Sequence, residues 1–109
     1  MFSVHLSKLA EDGLNAIMDY LLSQDADSAT LELWENFEDA FNSLREFPSR
    51  GHLPPELHEY PDKHIREIHV GVYRVIYRIR NNEVFVLFIA DSRRDIQKLL
   101  LDRALVFGL

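Results

Sequence analysis

The sequence predicts an α+β fold with the element order β-αα-βββ-α. In this fold an N-terminal helical hairpin packs against an antiparallel sheet, and a short helix ends the chain. Three observations predict it. Apolar residues recur with helical spacing in the first half, β-branched and aromatic residues dominate the second half, and one proline-rich segment, residues 47–62, separates the two. The 109 residues suit a single domain, 1–109, with one hydrophobic core.

The first half predicts a short strand and two helices. Phe2, Val4 and Leu6 alternate with polar residues, which is typical of a strand. Helical spacing then connects Ala10, Leu14, Ile17 and Leu21 in a helix from about Ser7 to Ser23, and Leu33, Phe37, Ala40, Phe41 and Leu44 in a second helix. Asp27 or Ser28 is the expected N-cap of the second helix, and Trp34 is expected in the core rather than at a partner surface.

The second half predicts three strands and a last helix. The strands run from Ile65 to Val70, from Tyr73 to Arg80 and from Val84 to Ala90, with turns at Gly71 and at Asn81-Asn82. Alternation in the middle strand places Tyr73, Val75, Tyr77 and Ile79 on the core face, and Arg74, Ile76, Arg78 and Arg80 on the other. Ser92 and Asp95 resemble a capping box before a helix whose apolar residues are Ile96, Leu99, Leu100 and Leu105.

Composition excludes several classes of protein. The chain has no cysteine, so it forms no disulfide, and a reducing compartment is expected. We find neither a signal peptide nor an apolar run of transmembrane length, which predicts a cytoplasmic protein without a membrane partner. The net charge of −6 argues against a surface that follows nucleic acid throughout. Basic residues are nevertheless concentrated in the second half, whereas the first 46 residues contain only Lys8 and Arg45.

Several segments together resemble the RelE/ParE family of bacterial toxins. The family's hallmark strand pair is similar to residues 65–79, IREIHVGVYRVIYRI. Its link before the sheet resembles Pro48-Ser49-Arg50-Gly51 and Pro55-Glu56-Leu57, its first helix resembles residues 9–14, and its sheet-to-tail junction resembles residues 89–95. The resemblance implies the toxin of a type II toxin–antitoxin module, which inhibits growth until an antitoxin binds it in a hetero-oligomer.

The two branches of this family imply different activities. RelE-like toxins cut mRNA on the ribosome, whereas ParE-like toxins inhibit DNA gyrase and are not enzymes in the usual sense. A nuclease needs cations for the phosphate charge and groups that transfer protons. The candidate cations are Arg66, Arg74 and Arg94, and the candidate proton-transfer groups are His64, His69 and Glu67.

The C-terminal tail favours the ParE-like branch. Leu100 stands where RelE-like nucleases place a tyrosine or histidine, and neither residue type occurs after Tyr77. Under this interpretation, target-binding residues are Arg74, Arg78, Arg93 and Arg94, although the arginines of the middle strand are also compatible with a solvated sheet face. A third hypothesis is a module that binds its antitoxin and inhibits nothing.

Neither a metal nor a cofactor is expected. The five histidines do not show a spacing that places several ligands on one helix face. Three of them, His52, His58 and His64, lie in or beside the proline-rich segment.

Overall fold

A computed structural model describes residues 1–59, 62, 64–92 and 98. Its elements, in chain order, are β1 (Ser3–Leu6), α1 (Lys8–Ser23), α2 (Asp27–Glu46), β2 (Ile65–Val70), β3 (Tyr73–Arg80) and β4 (Glu83–Asp91). Two short 3-10 turns, Pro48–Arg50 and Pro55–Leu57, lie in the link between α2 and β2. The α+β class and the order of these elements confirm the prediction. The predicted C-terminal helix lies outside the described residues except for Lys98, which is helical.

The sheet has four strands in the order β1-β4-β3-β2. Strands β2, β3 and β4 are antiparallel neighbours, as predicted. Strand β1 instead pairs parallel with β4, with Ser3 opposite Glu83 and Leu6 opposite Val86. The sheet is therefore mixed, and the predicted antiparallel arrangement holds for β2, β3 and β4 but not for β1. Alternation along a strand indicates which residues share a face, but it contains no information about the direction of the neighbouring strand.

Helix α1 is anchored to β4 at its first turn. The hydroxyl of Ser7 accepts a hydrogen bond from the Ala10 amide and donates one to the Leu87 carbonyl, each 3.0 Å long. Gly13 then allows the helix to approach the strand closely, because a Cβ at this position would lie 2.3 Å from the Ile89 carbonyl oxygen. A glycine that weakens an isolated helix thus permits the packing of this one.

Two expectations for α2 are wrong. The helix begins at Asp27 with Ala26 as its N-cap, and no side chain caps it. Asp25 turns the chain with a φ of 54°, so Asp27 already belongs to the first helical turn, where a negative charge is stabilised by the helix dipole. Trp34 is 42% exposed rather than in the core, because the buried stripe of α2 runs through Phe37, Ala40 and Leu44.

The inner face of the sheet packs against both helices and carries the larger apolar cluster. Its buried members are Ala10, Leu14, Phe37, Ala40, Leu44, Ile68, Val70, Val75, Tyr77, Val84, Val86 and Ile89. The outer face carries a smaller cluster of Ile65, Ile76, Phe88 and Ala90. Tyr77 is fully buried and Tyr73 packs against the larger cluster, as predicted for the core face of β3.

A β-bulge in β4 redistributes its side chains between the two faces. Val86 is opposite Tyr77 and Phe88 is opposite Ile76, so Leu87 is an additional residue in β4. Leu87 and Phe88 both contact the outer cluster as a result. The alternation of β4 changes phase at this point, which the sequence pattern did not predict.

None of the helices in the described part of the chain has both the length and the apolar character that a membrane span requires.

Candidate functional site

Charged and polar side chains meet on the outer face of the sheet, next to its apolar cluster. Glu67 and His69 lie two residues apart on β2 and therefore share a face. Arg74 is the direct partner of His69 in the β2–β3 register. The pairing of the two strands thus places a carboxylate, an imidazole and a guanidinium side by side.

Arg74 is the centre of this arrangement. It is 8% exposed, and its Nη1 and Nη2 donate to the two carboxylate oxygens of Glu56 at 2.6 and 2.7 Å. Its Nε donates to Oε2 of Glu67. The hydrogen bond to Glu56 is the main cause of a pKa of Arg74 well above its ordinary value, since burial acts in the opposite direction. Every nitrogen of the guanidinium is therefore occupied by a carboxylate of the same chain.

Glu56 reaches Arg74 from the link between α2 and β2. Pro55 begins the second 3-10 turn, and Leu57 at its end packs against the outer apolar cluster. The turn is thereby held over the sheet with Glu56 directed at the guanidinium. The hydrogen bond from Arg74 holds the pKa of the Glu56 carboxyl below its ordinary value.

Glu67 connects Arg74 to two histidines. The carboxylate is 1% exposed, and its Oε1 lies 3.0 Å from Nε2 of His52 and 3.4 Å from Nε2 of His69. Backbone hydrogen bonds of 3.0 and 2.7 Å hold His52 and Glu67 opposite each other in an isolated β-bridge. Glu56, Arg74, Glu67, His52 and His69 together form what we call the Arg74 network.

A second set of contacts fixes the link on the inner side. The hydroxyl of Tyr77 donates to the Pro48 carbonyl at 2.6 Å and accepts from the Gly51 amide at 3.1 Å. A Cβ on Gly51 would lie 2.5 Å from that hydroxyl, so a glycine is needed there. Burial raises the pKa of Tyr77, which keeps the hydroxyl protonated. Arg66 donates to the Gly51 carbonyl at 2.8 Å.

The structure brings together only some of the residues that the sequence analysis selected. Glu67, His69 and Arg74 meet in the network. Arg66 alternates with Glu67 along β2 and faces the inner side, whereas His64 is exposed just before β2 and its amide bonds to Asp62. Arg93 and Arg94 lie outside the described residues.

Arg78 lies on the outer face of β3, partly buried, opposite Ile65 and Phe85 in the neighbouring strands. Among the described residues, the only buried side-chain nitrogen or oxygen without a hydrogen-bond partner is its Nε. The Nε of Arg78 therefore lacks a partner, whereas the Nε of Arg74 donates to Glu67.

Glu56 and His52 were not predicted as site residues from the sequence. Both come from the link, so no strand or helix period connects them to the sheet. A signal for Glu56 existed in the segment Pro55-Glu56-Leu57, which carries part of the family resemblance. An acidic residue in a link that precedes arginine-bearing strands is a natural partner for one of those arginines.

The network has more negative than positive charge. Two carboxylates, Glu56 and Glu67, face one guanidinium, that of Arg74. With neutral histidines the group has a net charge of about −1, which favours a cation rather than a phosphate next to it. Arg74 itself would have to break ion pairs before it could bind an anion.

The comparisons with known proteins place this fold in a class, the RelE/ParE superfamily of toxins. A family model described as "ParE toxin of type II toxin-antitoxin system, parDE" matches residues 4–96. The chain therefore belongs to the ParE toxin family. Among solved structures it is similar to one described as "Chromosomal ParDE TA system from P. aeruginosa", with a TM-score of 0.66 and 19% identity over 84% of this chain and 96% of that chain. At this identity the similarity concerns the fold. A search of curated proteins gave no significant match.

Proposed function

We propose that this chain is the growth-inhibiting toxin of a type II toxin–antitoxin module, that it inhibits DNA gyrase by direct protein contact, and that a cognate antitoxin neutralises it. The observation that carries the proposal is the match of the ParE family model to residues 4–96. The solved relative belongs to a ParDE toxin–antitoxin system, which is consistent with an antitoxin partner here. Action on gyrase would take place in the cytoplasm and would need no cofactor.

The Arg74 network supports inhibition by contact rather than RNA cleavage. A ribonuclease needs open cations around the phosphate that it attacks. Arg74 instead donates to Glu56 and Glu67, so an approaching phosphate would meet two carboxylates and a guanidinium that is already paired with both. The net charge of −6 also disfavours ribosomal RNA as a binding surface.

Arg78 is the described residue best suited to contact the target. The side chain is only partly buried, and its buried Nε has no hydrogen-bond partner among the described residues, so a shift of the side chain on binding would let a target carboxylate or carbonyl satisfy it. Arg93 and Arg94 follow β4 in the sequence and complete the proposed contact. Arg74, which the sequence analysis also assigned to the target, supports this surface by holding the link in place.

Exposed apolar residues on α2 favour a partner protein. Leu31 and Trp34 are 60% and 42% exposed, and residues three apart lie on the same side of a helix. Tryptophan is over-represented at the centres of protein interfaces. This side of the helical hairpin therefore suits an antitoxin segment that folds as it binds and buries both residues.

The test is a supercoiling reaction with purified gyrase, ATP and relaxed plasmid, to which the toxin is added alone and then with its antitoxin. We expect loss of supercoiling or accumulation of cleaved plasmid, reversed by the antitoxin. Arg78→Ala should weaken the inhibition, whereas Arg80→Ala, an exposed position on the same face, serves as the matched control. Unchanged gyrase activity at saturating toxin would contradict the proposed target.

Ribosome-dependent mRNA cleavage is the alternative activity. Two half-exposed histidines beside a buried carboxylate favour it, since such a group can transfer protons. A translation reaction programmed with a defined mRNA distinguishes the two, because cleaved transcript together with active gyrase would support the nuclease. Normal growth after induction of the chain alone would instead support a module that only binds its antitoxin.

A further inference from the structure

We propose that His52, Glu67 and His69 form a binding site for one Zn²⁺ ion on the outer face of the sheet. Each residue offers one ligand atom, and the three atoms all lie within 4.8 Å of one another. The atoms are Nε2 of His52, Oε1 of Glu67 and Nε2 of His69. Two imidazoles and one carboxylate are a ligand set that zinc commonly uses.

The two distances from the Glu67 carboxylate to the histidine nitrogens are close to those around a tetrahedral ion. Zinc binds imidazole nitrogen and carboxylate oxygen at about 2.0–2.2 Å, so the edges of its coordination tetrahedron are about 3.3–3.6 Å long. The distances from Glu67 Oε1 to the two histidine nitrogens are 3.0 and 3.4 Å. The ligand nitrogens of the two histidines lie within 4.8 Å of each other, so an ion would draw them together by at most about 1.5 Å, which rotations of half-exposed side chains allow.

The backbone holds the three ligands together before any ion binds. Glu67 and His69 occupy alternate positions of β2 and project from the same face. His52 is placed opposite Glu67 by the two hydrogen bonds of the β-bridge, 3.0 and 2.7 Å long. A site built on paired backbone loses little conformational entropy on binding, and this raises its affinity.

The surroundings support a cation at this position. Arg74 donates to Oε2 of Glu67, which orients the carboxylate and leaves Oε1 directed at the histidines. Outer-shell hydrogen bonds of this kind are a regular feature of metal sites. Glu56 offsets the positive charge of Arg74, so the group with neutral histidines retains a net charge of about −1 for the ion.

The ligand types and their exposure determine the ion and its role. Imidazoles favour zinc and similar transition metals over Mg²⁺ and Ca²⁺, which prefer oxygen ligands. The histidine side chains are 59% and 54% exposed, so water can fill the remaining coordination position. Because His52 belongs to the link and the other two ligands belong to β2, the ion would fasten the link to the sheet.

Sequence patterns alone argued against a metal site, since the histidines show no helical ligand spacing. His52 and Glu67 are fifteen residues apart, and only the β-bridge brings them together. The spacing of two between Glu67 and His69 is that of neighbours on one strand face, which helical spacing rules do not detect.

The test is a calorimetric titration of the full chain, purified without a histidine tag, with Zn²⁺. We expect one equivalent to bind, and His52→Ala and His69→Ala each to weaken binding roughly tenfold or more. His64→Ala and His58→Ala are the controls, since both residues are exposed and lie outside the cluster. Both variants of the cluster leave the ion pair of Glu67 with Arg74 intact, and circular dichroism checks that they fold.

Two further readouts make the outcome clear. The visible absorption of Co²⁺ should show the intense bands of a tetrahedral ion in the parent chain and lose them in His69→Ala. Zn²⁺ should raise the melting temperature of the parent chain and of the controls, but not that of His52→Ala. Absence of saturable zinc binding, or equal binding by the parent chain and both cluster variants, would overturn the site. These measurements do not involve gyrase, so they test the metal site independently of the proposed target.

Discussion

The two faces of the sheet are made from alternate residues of the same strands, yet they are held by different forces. On β3, Val75 and Tyr77 point into an apolar layer closed by both helices. On the other side, Arg74 joins Glu67 and Glu56 in ion pairs beside a small apolar cluster. The inner face brings the helical hairpin onto the sheet, and the outer face brings the link onto it.

The inner face mainly stabilises the fold, whereas the outer face mainly positions the link. Burial of apolar surface stabilises by roughly 25 cal/mol per Å² and has no preferred direction. Buried ion pairs contribute little net stability, because desolvation of the charges offsets their attraction. Removal of one partner nevertheless destabilises the protein strongly, because it leaves the other charge buried and unpaired. We therefore expect the free energy of unfolding to depend on side-chain volume at the inner face and on side-chain charge at the outer face.

The largest effect is expected from a large-to-small change on the inner face. Phe37→Ala removes a fully buried ring and leaves a cavity, so the free energy of unfolding should fall by about 3–5 kcal/mol. Urea denaturation measures this change. Leu31→Ala on the exposed side of the same helix is the control and should change stability by less than about 1 kcal/mol, because Leu31 is 60% exposed. Similar losses in the two variants would contradict the assignment of the buried stripe.

A slightly smaller effect is expected from removing the charge on the outer face. Arg74→Met nearly conserves volume but leaves the buried Glu67 without its cation, which should cost about 3 kcal/mol. The double variant Arg74→Met with Glu67→Gln should recover part of this loss, because the uncompensated charge is gone. Equal stabilities of the single and double variants would show that packing, rather than charge, dominates at this face.

The smallest effect concerns Glu56 and depends on pH. Its pKa in the folded chain lies below the ordinary value of 4.5, so its contribution is fully present above that pH and is lost as the pH falls through the lower, folded pKa. Glu56→Gln should therefore be less stable than the parent chain by about 1–2 kcal/mol at neutral pH. Denaturation at several pH values should show the gap narrowing below about pH 4.5, and a gap independent of pH would refute the ion pair as its cause.

Local patterns predicted most of the fold. Helical spacing identified α1 and the buried stripe of α2, and the strand signals located β2, β3 and β4. The features that the sequence predicted wrongly or did not predict depend on contacts with residues far away in the chain. The direction of β1 depends on β4, the exposure of Trp34 depends on which side of α2 meets the sheet, and the bulge at Leu87 depends on the partner strand.

The candidate site was predictable only in part. Glu67, His69 and Arg74 lie on strands whose register follows from one hairpin, so their proximity could be expected from the sequence. Glu56 and His52 come from a proline-rich link that has no period to read. Their positions follow from contacts across the sheet, such as Leu57 against the outer cluster and Gly51 against Tyr77.

The sequence by itself determined the class of the fold, the order of its elements and the family, because side-chain periodicity and short motifs are local properties of the chain. The tertiary structure alone decided that Arg74 is paired with two carboxylates and that two histidines converge on Glu67. The physical reason is that charge pairing and ligand convergence depend on distances in space. Those distances exist only after burial of the apolar residues has brought the link and the strands together.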